Sequence, residues 1–73
     1  MTDMNSFLID SLVEQLTMML VEEKKMTIVE ALEVVYNSQL YEKISDLETG
    51  LYYQSAHYNY ALLCHEMKYG KLV

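Results

Sequence analysis

Three soft metal ligands and nucleophile-type side chains stand close together late in the chain: His57, Cys64 and His65. A structural zinc site takes four ligands, usually as two short-spaced pairs. These three residues fall on one stretch of helix, and no second histidine or cysteine cluster exists to complete the set. On that helix His57 and Cys64 share a side, whereas His65 is turned about 80° from His57. Cys64 and His65 have the residue types of a nucleophile and its base. Adjacent helical residues point about 100° apart, however, so the two do not face each other. The expectation is a core thiol at Cys64, a packed and hydrogen-bonded His65, and an exposed His57 near a helix start. Glu30 and Glu33 are carboxylates on an exposed face, without the pocket that acid–base work requires. No catalytic residue, metal ligand or cofactor site is therefore assigned, and the chain is not expected to be an enzyme.

The elements that would carry these residues are helical. Proline is absent and glycine occurs only at Gly50 and Gly70, so helices meet few breaks. The first is expected over residues 5–25. Leu8, Ile9, Leu12, Val13, Leu16, Met19 and Leu20 fill one stripe at spacings of three and four, with Asp10, Glu14 and Thr17 off it. Phe7, Met18 and Val21 fall on the opposite side and suggest a second contact surface. Glu22, Glu23, Lys24 and Lys25 close this helix as a solvated turn, the lysines suiting the negative end of the helix dipole.

Thr27, Ile28, Val29 and Glu30 read as a capping box. The helix that follows runs to about residue 36 or 37 and is expected to bury Ile28, Ala31, Leu32, Val35 and Tyr36, with Glu30 and Glu33 in water. The short gap makes the first two helices an antiparallel or angled hairpin. Ser38 caps a third helix over residues 39–44, with Leu40, Tyr41 and Ile44 apolar. Residues 46–50 are a loop ending at Gly50, and Leu51, Tyr52 and Tyr53 are expected to be extended. Ser55 caps a last helix over residues 56–69, which Gly70 ends. Tyr58, Ala61, Leu62, His65 and Tyr69 line one side of it, and Ala56, Tyr60, Leu63, Cys64 and Met67 the other. It is thus expected to be buried on both sides. The fold class is all-α, three to four helices in a small bundle around a single core, with residues 1–73 as one domain.

Composition narrows the function. A chain of 73 residues holds a modest core, yet 52% of it is hydrophobic, and a partner chain is the natural place for the excess. Eleven acidic residues against five lysines give a net charge of −6, and arginine is absent. Nucleic acid and anionic membrane surfaces both call for the opposite balance, so neither is expected as a partner of this chain alone. The segment 39–44 has the length of a DNA-reading helix but only one lysine, Lys43. A single cysteine excludes an internal disulfide and points to a reducing compartment. The start lacks the positive charge of a signal peptide, and the apolar run at residues 17–21 is far too short for a membrane span. A cytoplasmic protein is expected.

Seven tyrosines, most of them in the second half, give rigid apolar surface with a polar tip, which suits a thin core and an interface alike. Met18, Met19 and Met67 are adaptable contact residues. The contact residues expected on these grounds are Phe7, Met18, Val21, Tyr52, Tyr53, Tyr60 and Met67. The run from Met26 to Leu32, Tyr36 to Tyr41, Asp46 to Tyr52, and Ser55 to Tyr60 resembles small bacterial domains of unknown function, some encoded beside toxin-like genes. The likeness covers residues 26–66 and rests on a capped helix, a Glu-Thr-Gly turn and spaced tyrosines. It implies a bacterial cytoplasmic protein that binds another protein, and carries no catalytic residue. The leading expectation is a homodimeric protein-interaction module, an adaptor or antitoxin-like partner. The alternatives are a DNA-associated transcriptional regulator and a small-ligand-binding protein or enzyme subunit with a pocket near His65 and Tyr69.

Overall fold

Hydrophobic spacing and side-chain caps divide the chain into helices, and the computed structural model, which describes residues 4–71 with side chains from Ser6 onward, shows each of them. The order is α1 (Met4–Lys24), α2 (Ile28–Tyr36), α3 (Gln39–Ser45), two 3-10 turns (Leu47–Thr49 and Leu51–Tyr53) and α4 (Ala56–Tyr69). All regular structure among the described residues is thus helical, with four α-helices, and no helix is long and apolar enough to cross a membrane. The reading of the chain's start falls mainly on residues 1–3, outside the described residues.

α1 supplies the largest share of the core. Leu12, Val13, Leu16 and Leu20 are buried, and each such side chain contributes about 1.5–3 kcal/mol through removal from water. Thr17 is buried as well, contrary to its expected place off the stripe. Its hydroxyl donates to the Val13 carbonyl at 2.8 Å, which satisfies the one polar atom that would oppose burial. α1 is followed by Lys25, a non-glycine residue at φ 59°, and the three residues 25–27 turn the chain back onto α1.

The capping box at α2 forms as the spacing requires. The Glu30 amide donates to the Thr27 hydroxyl at 3.1 Å, and the Thr27 amide donates to the Glu30 carboxylate at 3.0 Å. Hydrogen bonds from the Thr27 backbone and then its side chain hold the Glu30 pKa below the ordinary carboxylate value. α2 buries Ala31 and Val35, with Val34 packed half-buried beside them. Ile28 and Tyr36, expected inside, are more than half exposed, and Leu32 is half-buried outside the core cluster. An i, i+4 row advances about 40° around a helix at each step. The apolar arc of α2 is therefore wider than its contact with the core, and the row Ile28, Leu32, Tyr36 walks out of that contact.

α3 is only seven residues long and cannot stand alone in water. Ser38 caps it, accepting from the Tyr41 amide at 3.0 Å and donating to the Val35 carbonyl at 2.6 Å. A second cap comes from α4. The Gln39 and Leu40 amides donate to the two carboxylate oxygens of Glu66, at 2.7 and 3.0 Å. These are first-turn amides that the helix itself cannot satisfy, and they meet a negative charge at the positive end of the helix dipole. Leu40 and Ile44 then enter the core fully buried.

The segment 51–53 is a 3-10 turn rather than extended. Gly50, at φ 71°, takes the left-handed turn that starts it, and the Tyr53 and Gln54 amides donate to the Gly50 and Leu51 carbonyls at 3.1 and 3.0 Å. Buried Asn59 fixes the turn from α4, its amide donating to the Leu51 and Ser55 carbonyls at 3.0 and 3.1 Å. Ser55 caps α4 and Gly70 ends it in left-handed geometry, as expected. α4 is not buried on both sides, however. Asn59, Tyr60 and Leu63 are buried, while Tyr58, Ala61, His65, Met67 and Tyr69 are exposed. The other elements leave that flank of α4 in solvent.

Glu66→Ala is expected to lower stability by about 1.5 kcal/mol, or about 6–12 °C in Tm, because two first-turn amides lose a charged acceptor. Glu66→Gln, which keeps one acceptor oxygen but not the charge, is expected to fall between the two. Thermal unfolding measures both, and a Glu66→Ala chain that melts with the wild type would contradict the capping role.

Candidate functional site

The soft ligands do not converge. His57 is exposed at the start of α4, Cys64 is half-buried, and His65 is exposed, lying against the Tyr69 ring with centroids 4.6 Å apart. His65, expected to be packed, is exposed instead. Among the described residues no group of three or more His, Cys, Asp or Glu side chains is placed to hold a metal ion.

The expected contact residues separate into three environments. Phe7, Met18, Tyr53 and Met67 are exposed, Tyr53 to 72%. Val21 and Tyr52 are half-buried and pack against the core. Tyr60 is 8% exposed and belongs to the core itself, so its ring offers no outer contact. Its hydroxyl is buried beside the Cys64 thiol without a hydrogen bond of good geometry. Burial first, then Cys64 and the charge of Glu23, push the Tyr60 pKa up to about 12. Burial and the adjoining Tyr53 also raise the pKa of Tyr52, whose ring lies 4.4 Å from that of Tyr53.

Two surface grooves use these residues differently. The first lies between α1 and α2 and holds about 330 Å³. Val13, Thr17, Met18, Ile28, Leu32 and Tyr36 line it, with the carboxylates of Asp10 and Glu14. Met18 is 48% exposed, Ile28 60% and Tyr36 51%, so its apolar walls face solvent. Tyr36 is held at its end by an edge-to-face contact with the half-buried Tyr41, centroids 5.0 Å apart. The second groove lies between α1 and the segment that leads into α4. Leu8, Leu12, Tyr52, Tyr53, Ala56 and His57 line it, with Ser11, Gln15, Gln54 and Ser55, and no carboxylate or lysine is among them.

Of the residues expected at contact surfaces, Phe7, Met18, Tyr53 and Met67 are exposed, whereas Ile28 and Tyr36, expected in the core, are exposed and Leu32 is half-buried outside it. The usable signal was the apolar breadth of α2, in which only Glu30 and Glu33 break an otherwise hydrophobic helix. Comparison of the chain with protein-family models, with curated proteins and with solved structures gives no match in any of the three.

The raised pKa of Tyr60 sets an alkaline limit. The folded chain holds this proton more tightly than the unfolded chain, whose tyrosine titrates near the ordinary 10.0. The resulting stability is complete below that pH and is lost as the pH climbs through about 12. Tyr60→Phe is expected to remove this part of the alkaline loss. By deleting a buried hydroxyl without a partner, it should leave neutral-pH stability unchanged or slightly raised. Urea unfolding of both chains at about pH 8 and about pH 11 measures it. A variant with the full wild-type alkaline loss would contradict the assignment.

Proposed function

We propose that the chain is a protein-interaction module, an adaptor or antitoxin-like partner that acts by binding other chains. The observation that carries this reading is the open apolar groove between α1 and α2. Met18, Ile28 and Tyr36 remain about half exposed or more although the chain is short of core. Contiguous apolar surface on a small protein marks a site of contact. The remaining charge pattern supports binding over chemistry: Glu30 and Glu33 flank α2 in solvent, and the tyrosine with the largest pKa shift, Tyr60, lies inside the core.

The same reading includes self-association, and the groove at Tyr53, whose lining has no carboxylate or lysine, is the surface that favours it. Two copies of a chain with net charge −6 repel each other, least where neither brings a carboxylate. Light scattering across a wide range of protein concentration tests this. The wild type is expected to hold a dimer mass, and Tyr53→Glu to shift it to the monomer with Tm unchanged. A wild type that stays monomeric throughout would remove self-association from the reading.

A further inference from the structure

The chemistry of the groove between α1 and α2 restricts what can fill it. The turn at residues 25–27 brings α2 back onto α1, so that Asp10, Glu14 and Met18 of α1 and Ile28 and Tyr36 of α2 line one groove. Ile28 and Tyr36 stand eight residues apart on one helix, a rise of about 12 Å. That length accommodates about two turns of another helix, the span of apolar anchors at i, i+4 and i+7. Leu32 lies between them, half-buried and outside the core cluster. The Tyr41 contact orients Tyr36, so this wall is set before anything binds.

Electrostatics then chooses the occupant. No lysine lines this groove, and its charged members are the carboxylates of Asp10 and Glu14. Beyond the Glu14 and Met18 ridge a neighbouring groove adds Glu22 and Glu23, again with no lysine. A second copy would set carboxylate against carboxylate here, and this chain has no arginine to answer them. A partner with apolar anchors flanked by cations meets both features at once. Its cation would pair with Asp10 and Glu14 in a groove that the Tyr36 ring also lines, an additional cation–π surface.

We propose that the groove between α1 and α2 docks a basic amphipathic helix of a partner protein. Its apolar stripe lies on Met18, Ile28, Leu32 and Tyr36, and its lysine or arginine side chains pair with Asp10 and Glu14. The proposal rests on the reading of the chain as an interaction module and names the partner chemistry for one of its surfaces.

The test uses the full chain and a labelled synthetic helix with leucines at i, i+3, i+4 and i+7 and basic residues on the flanks, followed by fluorescence anisotropy. One control peptide keeps the apolar spacing but carries glutamates, and another keeps the composition but scrambles the spacing. The basic amphipathic peptide is expected to bind at least about tenfold more tightly than either control. The pair Asp10→Lys and Glu14→Lys, and separately Ile28→Glu, are each expected to weaken it about tenfold with Tm unchanged. Equal binding of the glutamate peptide would overturn the basic partner while leaving the interaction-module reading intact. Equal binding of the scrambled peptide would reduce the effect to bulk attraction and overturn the docked helix. Binding untouched by the substitutions, or no binding, would overturn the groove as the site.

Discussion

A seven-residue helix has too few internal hydrogen bonds to hold itself in water, and α3 stands because Glu66 reaches across from α4. The carboxylate takes the Gln39 and Leu40 amides, while the carbonyl of the same residue accepts from the Gly70 amide at 2.6 Å and closes α4. One residue thereby joins the start of one helix to the end of another. With α3 held, Leu40 and Ile44 enter the core and Tyr41 is placed against Tyr36. Tyr36 in turn forms the far wall of the groove between α1 and α2. The shape of the candidate site thus depends on a polar contact made outside the groove.

The distribution of apolar side chains follows from the small size of the chain. Among the described residues the core takes ten of them, from Leu12 to Leu63, and α2 meets it over a narrower arc than its own hydrophobic face. The surplus is not scattered. Ile28, Leu32 and Tyr36 form one row, and Met18 on α1 faces it. Asp10 and Glu14 edge that row, so the apolar strip is joined to negative charge. The Tyr53 groove has no carboxylate or lysine in its lining. Two surfaces of different electrostatics on one small protein are suited to two different kinds of contact.

Features that depend on a few neighbouring residues were legible in the sequence. The Thr27 and Glu30 capping box, the Ser38 and Ser55 caps and the two left-handed glycines each follow from local hydrogen bonding and backbone freedom. Features set by distant partners were not. The Glu66 cap joins residues 26 and 27 apart in the chain, and no local pattern marks it. The 51–53 segment reads as extended until Asn59 takes the Leu51 carbonyl. Thr17 is polar by type but satisfies itself on Val13 and so can be buried. For α2 and α4 periodicity showed apolar arcs correctly, but how much of each arc the core covers is decided by the neighbouring helices. Ile28 and Tyr36 were misplaced for that reason, as was the outer side of α4.

Methyl NMR with a soluble paramagnetic agent gives the most direct test of the central claim, that the α1–α2 groove is an open apolar surface waiting for a basic helix. The Met18 ε-methyl and Ile28 δ-methyl resonances of the free chain should be strongly broadened by the agent, and Leu16 and Leu63 should not be. Addition of the basic amphipathic peptide should protect the first pair and leave the second unchanged. Met18 and Ile28 methyls already protected in the free chain, or still broadened with the peptide bound, would contradict the account.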